Sequence, residues 1–140
     1  MKTIYHQIVE KGYGLIPIGR NDDTRGSLCF AEWEDLPFAP QRVFWLFDIK
    51  PGMSRGKHAH SECEEVVFAV SGAFDMFVDN GKTRETFHID NPSTGIYIGK
   101  NVWCELRNFQ PGTVCVVVAS VKYMRDGYIN NYEEFRRKCN

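Results

Sequence analysis

The sequence predicts an all-β jelly-roll barrel with a short C-terminal helix. Three observations carry this: short runs rich in Val, Ile, Phe, Tyr and Trp recur at close spacing, Gly, Pro, Asn and Asp punctuate them, and a helical pattern emerges only at the end of the chain. The alternation of strand and helix that marks a parallel α/β sheet is absent.

The elements follow in order. After an N-terminal stretch, Thr24 to Leu28 reads as a turn entering a first strand, Leu28 to Trp33. Pro37 and Pro40 end it, because proline offers no donor to a ladder. Arg42 to Ile49 is aromatic and β-branched, and Lys50-Pro51-Gly52 closes it. Glu65 to Val70 and Phe74 to Val78 flank the turn Ser71-Gly72, and Asp79-Asn80-Gly81 before Lys82 to Ile89 is a hairpin signal. Gly95 to Ile98, Val102 to Leu106 and Thr113 to Ser120 continue the pattern, with turns at Asn91-Pro92 and Pro111-Gly112. Tyr132 to Lys138 then reads as a helix, acidic before basic, as the helix dipole favours.

A chain of 140 residues that is 43% hydrophobic, with ten Phe, six Tyr and three Trp, supports one core, so a single domain over residues 1–140 is expected. A net charge of -1 and the absence of a basic run exclude a typical nucleic-acid binder. The five cysteines contain no C-x-x-C pair, which argues for free thiols rather than a disulfide framework or thiolate zinc site. Neither a signal-peptide pattern nor a membrane-length apolar window is present, so a cytoplasmic protein is expected.

The segment from Gly52 to Glu64 carries the chemistry. Residues two apart on a strand share a face, so His58 and His60 should project into one space, with Glu64 converging on them or lying at the rim. Together with Gly72, this stretch resembles the first signature motif of the cupin superfamily. A cupin metal site normally draws a further histidine from a second motif, but the corresponding stretch, Gly99 to Glu105, has none. The expectation is therefore a site without metal or cofactor, in which neutral imidazole moves protons beside a carbonyl.

A closer resemblance rests on Arg42-Val43-Phe44-Trp45, Arg55-Gly56 before His58-Ala59-His60, Gly95 to Gly99 with Val102-Trp103, Val117 to Ser120, and Tyr123 with Asp126 to Ile129. These look like the thymidine-diphosphate-linked (dTDP) sugar 3,4-ketoisomerases. The resemblance implies a metal-independent homodimeric cupin that turns a 4-keto-6-deoxyhexose nucleotide into its 3-keto isomer in deoxysugar biosynthesis. It further implies that His58 is the base at carbon, that His60 assists transfer between oxygens, and that Arg42 and Arg55 hold the diphosphate. Tyr97 and Trp103 are candidate stacking partners for the base or sugar. Phe44 stands where the family pattern has a tyrosine, Cys104 where it has histidine or arginine, and Asn130 where it has arginine. A phenyl ring neither donates nor accepts a proton, so two further readings stay open: a non-catalytic nucleotide-sugar-binding cupin, and a metal-dependent cupin enzyme.

Overall fold

A computed structural model describes residues 2, 3 and 5–139. A helix α1 (Tyr5–Lys11) precedes strands β1 (Tyr13–Pro17), β2 (Gly19–Asp23), β3 (Gly26–Phe30), β4 (Arg42–Leu46), β5 (Arg55–His60), β6 (Glu65–Ser71), β7 (Phe74–Asp79), β8 (Arg84–Ile89), β9 (Thr94–Ile98), β10 (Trp103–Arg107), β11 (Val114–Ala119) and β12 (Tyr128–Ile129), and α2 (Tyr132–Cys139) ends the chain. Two five-stranded antiparallel sheets face each other, in the orders β1-β9-β6-β11-β4 and β12-β5-β10-β7-β8. The expected all-β jelly roll with its C-terminal helix is the fold. Helix α1, strands β1 and β2, and the two-residue β12 go beyond the elements read from sequence; the first expected strand, Leu28 to Trp33, runs instead from Gly26 to Phe30 with Trp33 opening a 3-10 turn, and the strand expected over Arg42 to Ile49 ends at Leu46. The N-terminal strands were hard to read because β2 is Gly-Arg-Asn-Asp-Asp, which carries no apolar alternation.

Period-2 alternation sorts each strand between two environments. Val67 and Ala69 of β6, Ile96 and Ile98 of β9, and Cys104 and Leu106 of β10 fill the space between the sheets. Their neighbours Val66, Phe68 and Tyr97 point outward, where Tyr5 of α1 and Leu36 cover them. On the second sheet, Ala59 and Trp103 point outward beneath Phe135 of α2. One helix thus covers part of the outer side of each sheet, while the outer residues Val43 and Trp45 of β4 stay exposed.

Two local devices hold α2 in place. The Asn131 side chain accepts the Glu134 amide at 2.9 Å, an N-cap bond. Asp79, fully buried at the end of β7, accepts the Tyr132 hydroxyl at 2.6 Å and the Arg136 guanidinium at 3.2 Å. The Asp79 carboxylate, read from sequence as a plain turn residue, is the anchor of the helix.

Candidate active site

Strand β5 makes the site by breaking its own regularity. Gly56 has φ +81° and Lys57 φ +59°, and the pairing with β10 shifts register between Cys104 and Glu105. This bulge re-aims the strand just before the histidines. A Cβ on Gly56 would also lie 3.1 Å from the Cys104 carbonyl, so the turn and the close approach both call for glycine.

His58 and His60 share one side of β5, and the edge of each ring meets Tyr128, with centroids 5.0 and 4.2 Å apart, but only His58 lines the cavity between the sheets, so the expected joint lining by both rings is not what the structure shows. Their hydrogen bonds differ in kind. The Nδ1–H of His58 donates to the Gly56 carbonyl at 3.2 Å, since a carbonyl can only accept, and this leaves Nε2 with a free lone pair. Burial pushes the His58 pKa below its ordinary value, the Gly56 carbonyl opposes that, and the neighbouring His60 adds to it. His60 is 6% exposed and committed at both nitrogens: Nδ1 accepts the amides of Glu62 at 2.9 Å and Cys63 at 2.8 Å, while Nε2–H donates to the Asp126 carbonyl at 3.1 Å. It ties the turn after β5 to the segment before β12.

His58 lines a cavity of about 100 Å³ between the sheets, together with Phe44, Arg55, Glu65, Met76 and Cys104. Glu65 comes from β6 on the first sheet and His58 from β5 on the second, so the two line the one cavity from opposite sheets. Burial raises the Glu65 pKa, partly offset by the positive charge of Arg42. Burial also raises the Cys104 thiol well out of the physiological range, which makes it an inert wall. A larger depression of about 510 Å³ is lined by Phe47 to Pro51 and Phe109 to Val114. It contains no histidine, so the chemistry belongs to the smaller cavity, where titratable groups converge.

The expected site residues divide accordingly. Arg55 lines the cavity. Arg42 sits beside it rather than in its lining, with its guanidinium 5.0 Å from the Phe44 ring centre and 5.7 Å from that of Tyr123. Its Nε is buried without a hydrogen-bond partner among the described residues. Tyr97 and Trp103 are not brought to the cavity: Tyr97 donates to Glu64 at 2.6 Å in the layer under α1, and Trp103 donates to Glu105 at 2.8 Å in the layer under α2. Glu64 points away from the histidines for the same reason, being one residue out of phase with the inward face. His88 is exposed and bonded to Asp75 at 2.8 Å.

Two residues of the site went unread in the sequence. Glu65 reads in the sequence only as the first residue of a strand, though its spacing of two from Val67 places it on the inward face. Tyr128 lies in a two-residue strand that pairs Tyr128 with His60, a long-range contact that no local pattern reveals. Among the described residues no three His, Cys, Asp or Glu side chains are grouped to hold one metal ion. No helix among the described residues is long and apolar enough to cross a membrane.

Comparison with known proteins extends this picture. The family described as FdtA: WxcM-like, C-terminal matches residues 11–140. TDP-4-oxo-6-deoxy-alpha-D-glucose-3,4-oxoisomerase of Aneurinibacillus thermoaerophilus is 35% identical over 116 residues, covering 82% of this chain and 84% of its own. The TDP-quinovose 3,4-ketoisomerase WlaRB of Campylobacter jejuni is 39% identical with TM-score 0.84, over 91% of this chain and 98% of its own. A histidine-to-asparagine mutant of the 3,4-ketoisomerase QdtA from Thermoanaerobacterium thermosaccharolyticum, crystallised with TDP-4-keto-6-deoxyglucose, is 28% identical with TM-score 0.86, over 91% and 94%. With the barrel, the β5 histidines and these likenesses together, the chain belongs to the FdtA (WxcM-like) family of cupin sugar 3,4-ketoisomerases.

Proposed function

We propose that the protein moves the carbonyl of a TDP-linked 4-keto-6-deoxyhexose from carbon 4 to carbon 3 through an enediol, without metal, in deoxysugar biosynthesis. The observation that carries this is the free Nε2 of His58, the tautomer fixed by the Nδ1–H bond to the Gly56 carbonyl and the neutral form favoured by burial inside a cavity. It is the base that removal of a proton beside a ketone requires. The relatives' names supply the substrate class, and the cavity supports it in size: about 100 Å³ admits the reacting edge of a sugar, while ligand pockets for whole molecules run to roughly 300–1,000 Å³. The nucleotide therefore lies outside the barrel, with Arg55 at the cavity and Arg42 beside it as diphosphate partners. Tyr97 and Trp103 have packing roles in this reading.

We also propose a homodimer. Val43, Trp45 and Phe47 form an exposed apolar stripe along the edge strand β4 and the residue beyond it, and such a stripe is suited to burial against a second copy. A second functional reading, nucleotide-sugar binding without catalysis, is favoured by the two inert residues Phe44 and Cys104 in the cavity wall.

Incubation with TDP-4-keto-6-deoxyglucose in heavy water separates the two. Isomerisation predicts the 3-keto isomer, with solvent deuterium entering at carbon 4 of that product and at carbon 3 of returned substrate, both seen by NMR. His58→Asn should lower that exchange by roughly 10²–10⁴-fold while TDP affinity stays within a few fold. Tight binding by the wild-type protein with neither exchange nor formation of the 3-keto isomer would establish the binding-only reading instead.

A further inference from the structure

Moving a carbonyl to the next carbon requires two proton transfers of different kinds. One proton leaves a carbon and another is returned to its neighbour, and in parallel one oxygen gains a proton while the other loses one. His58 has one free nitrogen and meets the carbon requirement. Neither Phe44 nor the neutral Cys104 can meet the oxygen requirement, and His60 has both nitrogens bonded to backbone.

We infer, on the ketoisomerase reading above, that Glu65 is the second proton carrier of the site and serves the two sugar oxygens while His58 serves the two carbons. Glu65 lines the same cavity from the opposite sheet, and no group among the described residues hydrogen-bonds its carboxyl. It forms no salt bridge with Arg42 or His58 within 4.0 Å, so it is free to meet a ligand. Placement on opposite walls suits the geometry of the reaction. A carbon-bound proton leaves perpendicular to the forming double bond, whereas hydroxyl protons lie near its plane, so the two carriers must approach from different directions. Burial holds the carboxyl in its neutral form to higher pH than usual, and a neutral carboxyl is the form that can give a proton to a ketone.

The steps balance. Nε2 of His58 takes the proton of carbon 3, the electrons of that bond form the carbon–carbon double bond, and the carbonyl pair at carbon 4 takes the Glu65 proton, giving a neutral enediol. Protonated His58 then delivers to carbon 4, while the Glu65 carboxylate takes the hydroxyl proton at carbon 3, where the new carbonyl forms. Both residues return to their starting states, and no oxidant or reductant is consumed.

Activity would require neutral His58 and neutral Glu65, which gives a bell-shaped pH profile whichever group has the higher pKa. Besides His58, the charged and titratable groups near Glu65 are Arg42 from β4, Arg55 from β5, Cys63 from the turn after β5, Cys104 from β10 and Tyr128 from β12. Burial raises the two thiols and the phenol, so none of these supplies the alkaline limb at neutral pH.

The test uses the intact protein with TDP-4-keto-6-deoxyglucose. Glu65→Gln keeps the size but cannot titrate: isomerisation should fall by about 10²-fold or more, TDP affinity should stay within about twofold, and the alkaline limb should vanish while the acid limb remains. Glu65→Asp, which retains a carboxyl, should keep that limb at a reduced rate. A Glu65→Gln protein that isomerises at the wild-type rate, or one that is slowed yet keeps the alkaline limb, overturns the assignment. A wild-type protein that neither isomerises nor exchanges the substrate overturns the functional reading as well, a distinct result.

Discussion

Glu64 and Glu65 are neighbours in the chain and live in different worlds. The first accepts the Tyr97 hydroxyl at 2.6 Å beneath α1, and the second lines the cavity with His58, because successive strand residues point to opposite sides. The consequence for Tyr97 is measurable. Tyr97→Phe removes a buried donor to a carboxylate and should lower unfolding free energy by about 1.5–3 kcal/mol in a denaturant titration, with TDP affinity and isomerisation unchanged. A tenfold loss of TDP affinity would return Tyr97 to the ligand. At the same scale, the depressed His58 pKa has a direction: the base stays free below the ordinary histidine range, so the acid limb of the pH–rate profile should fall below about 6.5. An acid limb above that value would mean that His58 is not as desolvated as its surroundings require.

The β5 bulge concentrates the site's dependence on backbone conformation. Two consecutive residues with positive φ, one glycine and one lysine, set the phase that turns His58 into the cavity. Gly56→Ala places a Cβ in the left-handed region and 3.1 Å from the Cys104 carbonyl, at a cost of about 1–2 kcal/mol for the conformation alone. Thermal unfolding should come earlier and isomerisation should fall, because the strand can relieve the strain only by shifting His58. Lys57→Gly at the next position should leave stability equal or higher, since glycine adopts that conformation without penalty. If both variants behave like wild type, the bulge does not position the base. Gly72, at φ +72° with Thr113 crowding its missing side chain, closes the following hairpin on the same principle.

For the molecule as a whole, the apolar surface on β4 is the feature a lone copy does not explain. Trp45 is 57% and Phe47 58% exposed, and β4 has a neighbour on one side only. Light scattering should report twice the 16.2 kDa chain mass at micromolar concentration, and Trp45→Glu should shift the population to monomer. A wild-type monomer would leave the stripe without the proposed partner.

How much of this was legible in the chain depends on the range of the interaction involved. Strand periodicity is local, so the sequence by itself determined the β character of Arg42 to Leu46 and Glu65 to Val78, the hairpin at Asn80-Gly81, the C-terminal helix, and the shared face of His58 and His60. The motif around Arg55 to His60 pointed to the family for the same reason: its spacing is written in adjacent residues. Hydrogen-bond partners are not. That His60 is held by the Glu62, Cys63 and Asp126 backbone, that Glu65 rather than Glu64 shares the cavity with His58, and that Tyr97 and Trp103 serve the outer layers were decided only when two sheets and two helices came together. A side chain's phase along its strand follows from sequence, but which face becomes the cavity and which lies beneath a helix is a property of the closed fold.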